Sequence, residues 1–346
     1  MARILALDIT ESDARLVAAS ARVGGATVEA MIRVALPSGE GATPEARGAA
    51  LAAALAERRV ARGAALVVLG RAQVELKQLT LPPSPDTELP DMVRLQGLRE
   101  FTSLSDDWPL DFVPLGHDAT QPREVLAAAV SPEVMAALRA TCGAAGLEAS
   151  RVGLRPMAAA SLFLRGREAN RYSVRLLIDL LPGEADLTVI ADKHVVFTRN
   201  ARLGSHGSPI PSEEPSADKA KVAESTTASS KTPASHAALV GQIRRTLAAV
   251  HSQLKDRRVE VVYVWGVSPP IQALARQIEK EIDLPCQTLD PLAEMTLARE
   301  LRDTPPESPE RFAALLGLIA DEAESITPAV DFLHPRQAPP PPSRRR

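Results

Sequence analysis

The feature that most constrains the fold of this chain is a pattern of strands and turns that occurs twice. Residues 3–36 contain three apolar runs separated by short polar or glycine-rich stretches, and residues 171–204 contain three more in the same arrangement. In each set the first run reaches an aspartate, Asp8 in one and Asp179 in the other. Short apolar runs bounded by turn residues are typical of buried strands. The repeat therefore predicts an α/β protein with two related β-sheet halves, each followed by helical segments.

A segment with a different pattern lies between the two repeats. It predicts a helix at 91–101, two strands at 110–116 and 124–132, and a helix at 132–145 that follows the capping pair Ser131-Pro132. This order is typical of a compact α/β insert. The expected domain boundaries are 1–87 for the first lobe, 88–160 for the inserted small subdomain, and 171–204 together with 237–326 for the second lobe.

Two further segments follow neither pattern. Residues 205–236 contain almost no large apolar side chain, so burial cannot offset the entropy lost on ordering, and we expect a disordered linker there. Residues 327–346 form a Pro- and Arg-rich tail that ends in PPPPSRRR. Between these two segments, residues 237–254 carry apolar side chains at helical spacing and predict an amphipathic helix.

The composition excludes several classes of function. Forty basic and 43 acidic residues give a net charge of −3, which provides no field to attract nucleic acid. The two cysteines form no CxxC pair and the six histidines show no ligand spacing, so we expect no metal site. No serine lies in a hydrolase-type G-x-S-x-G motif, and no catalytic residue is assigned. No apolar run reaches the roughly 18 residues of a membrane span, which favours a cytoplasmic protein.

The motifs ILALDI and LLIDLL, the insert that begins ELPDMVRLQGLREF, and the late segment VEVVYVWGVSPPIQALARQIEKEIDLPC together resemble the actin-like ATPase superfamily. Within it the chain resembles the PilM family of type IV pilus assembly proteins, which are relatives of FtsA. The resemblance implies a two-lobed, ribonuclease H-like α/β fold with a small inserted α/β subdomain.

In that superfamily ATP and Mg²⁺ bind between the lobes, through two phosphate hairpins and a glycine-rich adenosine loop. The resemblance places the corresponding positions of this chain at Asp8 and Thr10, at Asp179 and Gly183, and at Gly266. The hairpins depart from the family pattern, because Ile9 and Leu180 stand where glycine is usual. Pro182 also removes a backbone donor. We therefore expect a degenerate site with no cofactor bound. Binding of ATP and Mg²⁺ stays open as the alternative.

Simpler interpretations of these residues also stay open. Asp8 and Asp179 can end strands at turns, where an aspartate carboxylate hydrogen-bonds the local backbone. Gly266 can serve as a turn glycine instead of an adenine contact. Under these interpretations the residues support the fold and contact no ligand.

The tail contains a second resemblance. Val330, Phe332, Leu333 and Pro335 resemble the short peptide by which the inner-membrane protein PilN docks onto PilM. The partner implied is a PilN-like inner-membrane protein, or the same motif in cis, which fills the groove of its own chain or of a neighbour in a homo-oligomer. Two other interpretations are that the chain continues into a membrane anchor and that the tail is a disordered, solubilising segment.

The function implied is a cytoplasmic scaffold of type IV pilus or type II secretion-type assembly, peripheral to the inner face of the inner membrane. It would link an inner-membrane partner through a short hydrophobic peptide laid in a groove between the lobes. The alternative is an enzyme or switch, an actin-like protein that binds or hydrolyses ATP in envelope or cell-division machinery.

Overall fold

The computed structural model describes residues 2–22, 24–39, 42–203, 232–254 and 257–339. The strands are β1 (Arg3–Ile9), β2 (Asp13–Arg22), β3 (Gly25–Ala35), β4 (Ala64–Leu69), β5 (Val74–Leu81), β6 (Leu110–Pro114), β7 (Arg123–Val130), β8 (Glu148–Leu154), β9 (Val174–Leu181), β10 (Glu184–Ala191), β11 (His194–Arg202), β12 (Val261–Trp265), β13 (Cys286–Leu289) and β14 (Thr296–Leu297). The helices are α1 (Pro44–Glu57), α2 (Leu89–Glu100), α3 (Pro132–Ala145), α4 (Arg155–Arg165), α5 (Thr232–Gln253), α6 (Pro269–Ile282), α7 (Arg299–Asp303) and α8 (Ala313–Ala323).

Two sheets share one topology, as the repeat in the sequence predicts. The larger sheet has the order β14, β3, β2, β1, β4, β8, and the second has the order β11, β10, β9, β12, β13. In each, three antiparallel strands form a meander, and two parallel strands continue the sheet from its first strand. The parallel strands arrive through helical crossovers, which is why a chain that begins as a β-meander builds an α/β fold.

Helices cover both faces of the two sheets. Helices α4 and α8 pack on each other and lie in the main hydrophobic core, which joins the larger sheet to one face of the second sheet. Helices α5 and α6 cover the opposite face of the second sheet through a separate core. The two sheets therefore share one buried interior, and the space between their hairpins opens at its edge.

A third, antiparallel sheet has the order β5, β7, β6, with α2 packed on it. Strand β5 was not predicted from the sequence and lies before the expected boundary at residue 88. Strand β8, inside the predicted insert, pairs instead with β4 of the larger sheet. The helix at 132–145 forms as predicted, because the Ser131 hydroxyl accepts from the Val134 N–H (3.3 Å) and Gly146 adopts φ +72° at its end.

The predicted disordered linker at 205–236 falls largely outside the described residues. Its last five residues, 232–236, belong to α5, which starts earlier than the sequence predicts. The final residues of the tail, 340–346, also lie outside the described part of the chain. Within the described residues no helix combines the length and apolar character needed to cross a bilayer.

Candidate functional site

The turns between β1 and β2 and between β9 and β10 face each other across a cleft of about 940 Å³. Thr10 lines the cleft from the first turn, and Gly183 lines it from the second. Helices α1 and α3 contribute further walls, among them Arg47. The structure thus brings the two predicted hairpins together, as their equivalent places in the two related sheets require.

Thr10 is held by contacts within its own turn. Its hydroxyl donates to the Asp13 carboxylate (2.7 Å) and accepts from the Asp13 N–H (3.1 Å), while the Arg47 guanidinium donates to the Thr10 carbonyl oxygen. A side chain that closes a turn in this way is typical of Ser, Thr and Asp next to tight turns. These contacts fix the shape of the first turn without a ligand.

Asp8 is buried at the end of β1, directly behind the first turn. Its Oδ2 lies 3.3 Å from Arg15 Nη2 and 3.6 Å from Arg155 Nη1, whereas its Oδ1 finds no hydrogen-bond partner among the described residues. A buried carboxylate needs an opposite charge, because removing it from water is costly. Here two arginines of the chain itself supply that charge.

Asp179 occupies the matching position at the end of β9 and lies directly opposite Asp186 in the antiparallel pair with β10. Burial is the main cause that raises the pKa of Asp179 to about 7, and the nearby Asp186 and Asp8 add to this effect while Arg155 opposes it. Its Oδ1 also lacks a hydrogen-bond partner within the described part of the chain.

Arg155 is the residue of this site that sequence reasoning missed. It is the first residue of α4 and is 2% exposed, and its guanidinium lies between carboxylates of both lobes. Burial alone would lower its pKa, but Asp186, Asp8 and Glu184 raise it well above the ordinary arginine value. The sequence GLRP around it carries no motif, so the contact could be found only once β8 and β10 were placed in space.

Gly266 lies away from the residues that line the cleft. It follows β12 with φ +114°, and a Cβ at this position would stand 2.2 Å from Ile271 Cδ1 and 3.2 Å from Glu310 Cβ. The conformation and the crowding both require glycine. The structure thus explains this glycine by the packing of α6 and the turn before α8.

The residues around the two hairpins carry charges of both signs. Pro182 offers no N–H to a phosphate, and Glu11 and Glu184 line the cleft together with the basic Arg47, Arg155 and Arg202. In the described residues no three His, Cys, Asp or Glu side chains are arranged to hold a metal ion. The interlobe carboxylates instead face the guanidinium of Arg155.

A second site is formed by the tail, where residues 329–336, named here the docked segment, lie on β8 and β6. Val330 and Phe332 are each 2% exposed and belong to the main core. The Phe332 N–H donates to the Val152 carbonyl oxygen (2.8 Å), and the Val152 N–H donates to Asp331 Oδ1 (3.2 Å). One backbone bond and one bond to a side-chain carboxylate therefore attach the docked segment to β8 at the edge of the larger sheet.

A buried carboxylate on β6 holds the other side of the docked segment. Asp111 accepts from the backbone N–H of Asp331 (2.9 Å) and of Arg336 (3.1 Å), as well as from the Arg336 side chain. Leu333 is half-buried against the main core, and Pro335 is partly exposed. These contacts lie between the first lobe and the three-stranded sheet, whereas the sequence-based expectation was a groove between the two lobes.

Comparison with known families decides what kind of chain this is. A family model described as type IV pilus assembly protein PilM matches residues 6–315. The chain belongs to the PilM family. The docked segment lies beyond the residues that this family model matches.

Solved structures similar to this PilM-family chain agree on the fold. A chain of a PilM–PilN type IV pilus biogenesis complex matches with a TM-score of 0.70 and 20% identity, over 94% of this chain and 99% of that chain. The cytoplasmic domain of EpsL, an inner membrane component of the type II secretion system of Vibrio cholerae, matches with a TM-score of 0.50 and 14% identity, over 92% and 96% of the two chains. The comparison with curated proteins gives no match. The predicted two-lobed, actin-like α/β fold is thus confirmed.

Proposed function

We propose that this PilM-family chain is a cytoplasmic scaffold of pilus or secretion-type assembly, which works at the inner face of the inner membrane by holding a short hydrophobic segment. The similar PilM was solved together with PilN, and a PilN-like inner-membrane protein is the partner proposed for this chain. The type of machinery, pilus or secretion, is proposed at the level of the family alone.

The observation that supports the proposal most strongly is the groove in which the docked segment is bound. A groove between β8 and β6 accepts two apolar side chains, Val330 and Phe332, and supplies a buried carboxylate at Asp111. Recognition of a short peptide through backbone bonds and pockets for its side chains is common, because the bonds give affinity and the pockets give specificity. The proposed binding residues of the segment are Val330, Phe332, Leu333 and Pro335.

Such a groove can be filled in cis or in trans. A segment tethered to its own chain has a high effective concentration, so a partner's peptide must compete with it. We propose that the docked segment fills the groove of its own chain and that a matching segment of the membrane partner, or of a second copy, exchanges with it. The proposed role needs no bound nucleotide, and the missing N–H of Pro182 and the acidic Glu11 at the hairpins support this part of the proposal.

The experiment measures binding of a fluorescent peptide with the sequence of residues 327–339. The receptor is the full chain with Phe332→Asp, because a charge at this buried position should unseat the chain's own segment. We expect saturable binding with a Kd of about 1–100 μM to this variant, and binding to the wild-type chain at least about tenfold weaker. Fluorescence anisotropy reads both values.

Two peptide variants serve as controls. A peptide with Gln337→Ala, changed at an exposed residue, should bind like the original, and a peptide with Phe332→Asp should not bind. The cytoplasmic segment of a PilN-like partner should displace the labelled peptide. Equal binding of the original and Phe332→Asp peptides, or no binding to the receptor variant, would contradict the proposed groove.

A further inference from the structure

The Arg155 guanidinium joins the two lobes through all three of its nitrogens. Nε lies 2.9 Å from Asp186 Oδ2, Nη2 lies 2.8 Å from Glu184 Oε1, and Nη1 lies 3.6 Å from Asp8 Oδ2. Asp8 belongs to the first lobe, and the other two carboxylates belong to β10 of the second. One side chain therefore spans the base of the interlobe cleft.

The surroundings of this side chain are shaped for a guanidinium. A Cβ at Gly70 would lie 3.1 Å from Arg155 Nη2, so the glycine gives the guanidinium its room. Asn200 Nδ2 donates to Glu184 Oε2 (2.9 Å) and to Asp186 Oδ1 (3.0 Å), which holds both carboxylates in place. A planar fork of N–H donors matches carboxylates at two sides, as the compact ammonium of a lysine does not.

The position of Arg155 at the start of its helix also indicates that its charge acts between the lobes. It opens α4, where the helix dipole disfavours a positive charge, so the local helix does not explain an arginine there. A second arginine also joins the lobes, since Arg71 Nε donates to the Thr198 carbonyl oxygen (3.0 Å) on β11. Beside the shared core, polar contacts between the lobes thus include two arginines of the first lobe.

We propose that Arg155 is a built-in cation that holds the two hairpins together and takes the place between their carboxylates that a metal–nucleotide would need. The spacing of the two hairpins is then set by the chain itself, independent of Mg²⁺ and ATP. This inference deepens the nucleotide-independent part of the proposed function. It can fail while peptide docking stands, because the two sites share no residue.

The charges explain why a metal–nucleotide would not enter. The guanidinium already faces Asp8, Glu184 and Asp186, and a metal ion would have to displace a buried charge that donates two hydrogen bonds to β10 and lies 3.6 Å from Asp8 Oδ2. Burial raises the pKa of Asp179, the carboxylate behind the second hairpin, to about 7.

The test compares thermal unfolding of the full chain and three variants. Arg155→Ala removes the built-in cation, Arg155→Lys keeps a charge without the fork, and Arg139→Ala changes an exposed arginine of α3 as the control. We expect Arg155→Ala to lower Tm by about 6 °C or more, because its buried carboxylates lose their partner. The Tm of Arg155→Lys should lie between those of the wild type and Arg155→Ala, and the Tm of Arg139→Ala should equal that of the wild type.

Chemical rescue separates this role from packing alone. Methylguanidinium at about 10 mM should restore part of the Tm lost in Arg155→Ala and leave the wild type unchanged, whereas MgCl₂ at the same concentration should restore none. Recovery with MgCl₂ but not with methylguanidinium would overturn the proposal. So would a Tm of Arg155→Ala equal to that of the Arg139→Ala control.

The wild-type chain provides a measurement that does not depend on how the variants fold. Mg-ATP or Mg-ADP at about 100 times a functional Kd would raise the apparent stability, and hence Tm, by several degrees. We expect no change in the wild-type Tm at millimolar nucleotide. A nucleotide-dependent rise would overturn the proposal, while leaving the peptide-binding result to stand or fall by its own measurement.

Discussion

Both carboxylate oxygens of Asp111 lie 2.9 Å from Nη1 of Arg336, across a separation of more than two hundred residues in the chain. Asp111 is buried on β6 and also accepts two backbone N–H groups of the docked segment. Arg336 lies over the ring of Phe112 as well, 5.6 Å from its centre. The tail is therefore attached by a buried receptor residue and not by apolar burial alone.

Replacing Asp111 should loosen the docked segment more than replacing Arg336. Asp111→Asn removes the negative charge that accepts hydrogen bonds from three N–H donors. We expect this change to weaken docking of the segment by about 1–3 kcal/mol. Arg336→Ala leaves the two backbone bonds intact and should cost less. Chymotrypsin cleavage after the buried Phe332 measures both effects, and faster cleavage in Arg336→Ala than in Asp111→Asn would contradict this assignment.

The pKa of Asp179, raised by burial to about 7, predicts a pH dependence of stability. Between pH 3.8, the ordinary value, and about 7, the unfolded chain releases this proton while the folded chain keeps it. The stability that protonated Asp179 contributes is fully present below the ordinary aspartate pKa, and it is lost as the pH rises through about 7. Between pH 4 and pH 8 the free energy of unfolding of Asp179→Asn should therefore rise, relative to that of the wild type, by on the order of 2–4 kcal/mol.

Urea unfolding at several pH values measures this gain. Asp192→Asn is the control, because the hydrogen bond from Arg257 lowers the pKa of Asp192 instead of raising it. Its difference from the wild type should stay constant between pH 5 and pH 8. A constant difference for Asp179→Asn over the same range would show that this carboxylate is ionised in the folded chain.

Gly70→Ala tests how tightly the guanidinium of Arg155 is held. The added methyl group would press on a side chain that three carboxylates keep in place, and we expect a loss of about 1–3 kcal/mol in the free energy of unfolding. Gly143→Ala on α3 meets nothing within 4 Å and should be neutral or stabilising by up to about 1 kcal/mol. The loss at Gly70 should shrink in an Arg155→Ala background, because the opposing atoms are gone.

The crossing of α4 and α8 provides a test of the fold itself. A Cβ at Gly317 would lie 2.0 Å from the Ala158 carbonyl oxygen, which is backbone and cannot move aside. Gly317→Ala should cost about 3 kcal/mol or more, whereas Gly241→Ala on α5, with open space around it, should not destabilise the chain. Urea unfolding of the two variants measures the contrast, and a Gly317→Ala chain as stable as the wild type would contradict the observed helix crossing.

The fold was accessible from the sequence where local patterns decide the structure. The two meanders are strong patterns because each strand is short, apolar and bounded by turn residues, and the cap at Ser131 marks the start of α3. Strand β5 was missed because its half-exposed side chains give no continuous apolar run. Its pairing with β7 depends on contacts distant in the chain.

The candidate sites, like the fold, could be predicted from the sequence only where local patterns decide the structure. The sequence indicated the two hairpins through Asp8 and Asp179, and the structure places Thr10 and Gly183 on one cleft. Arg155 and Asp111 gave no signal, since an isolated arginine or aspartate is as common on a surface as in a core. Their importance comes from carboxylates and backbone groups that only tertiary structure brings to them.

Amide hydrogen exchange of the intact wild-type chain tests the central claim most directly, because it reads the bond from the Phe332 N–H to the Val152 carbonyl oxygen. We expect the amides of residues 331–333 to be protected at least about a hundredfold over an unstructured chain, and this protection to fall when the labelled tail peptide is added in excess. Exchange of these amides at the rate of an unstructured chain would show that the tail does not occupy the groove.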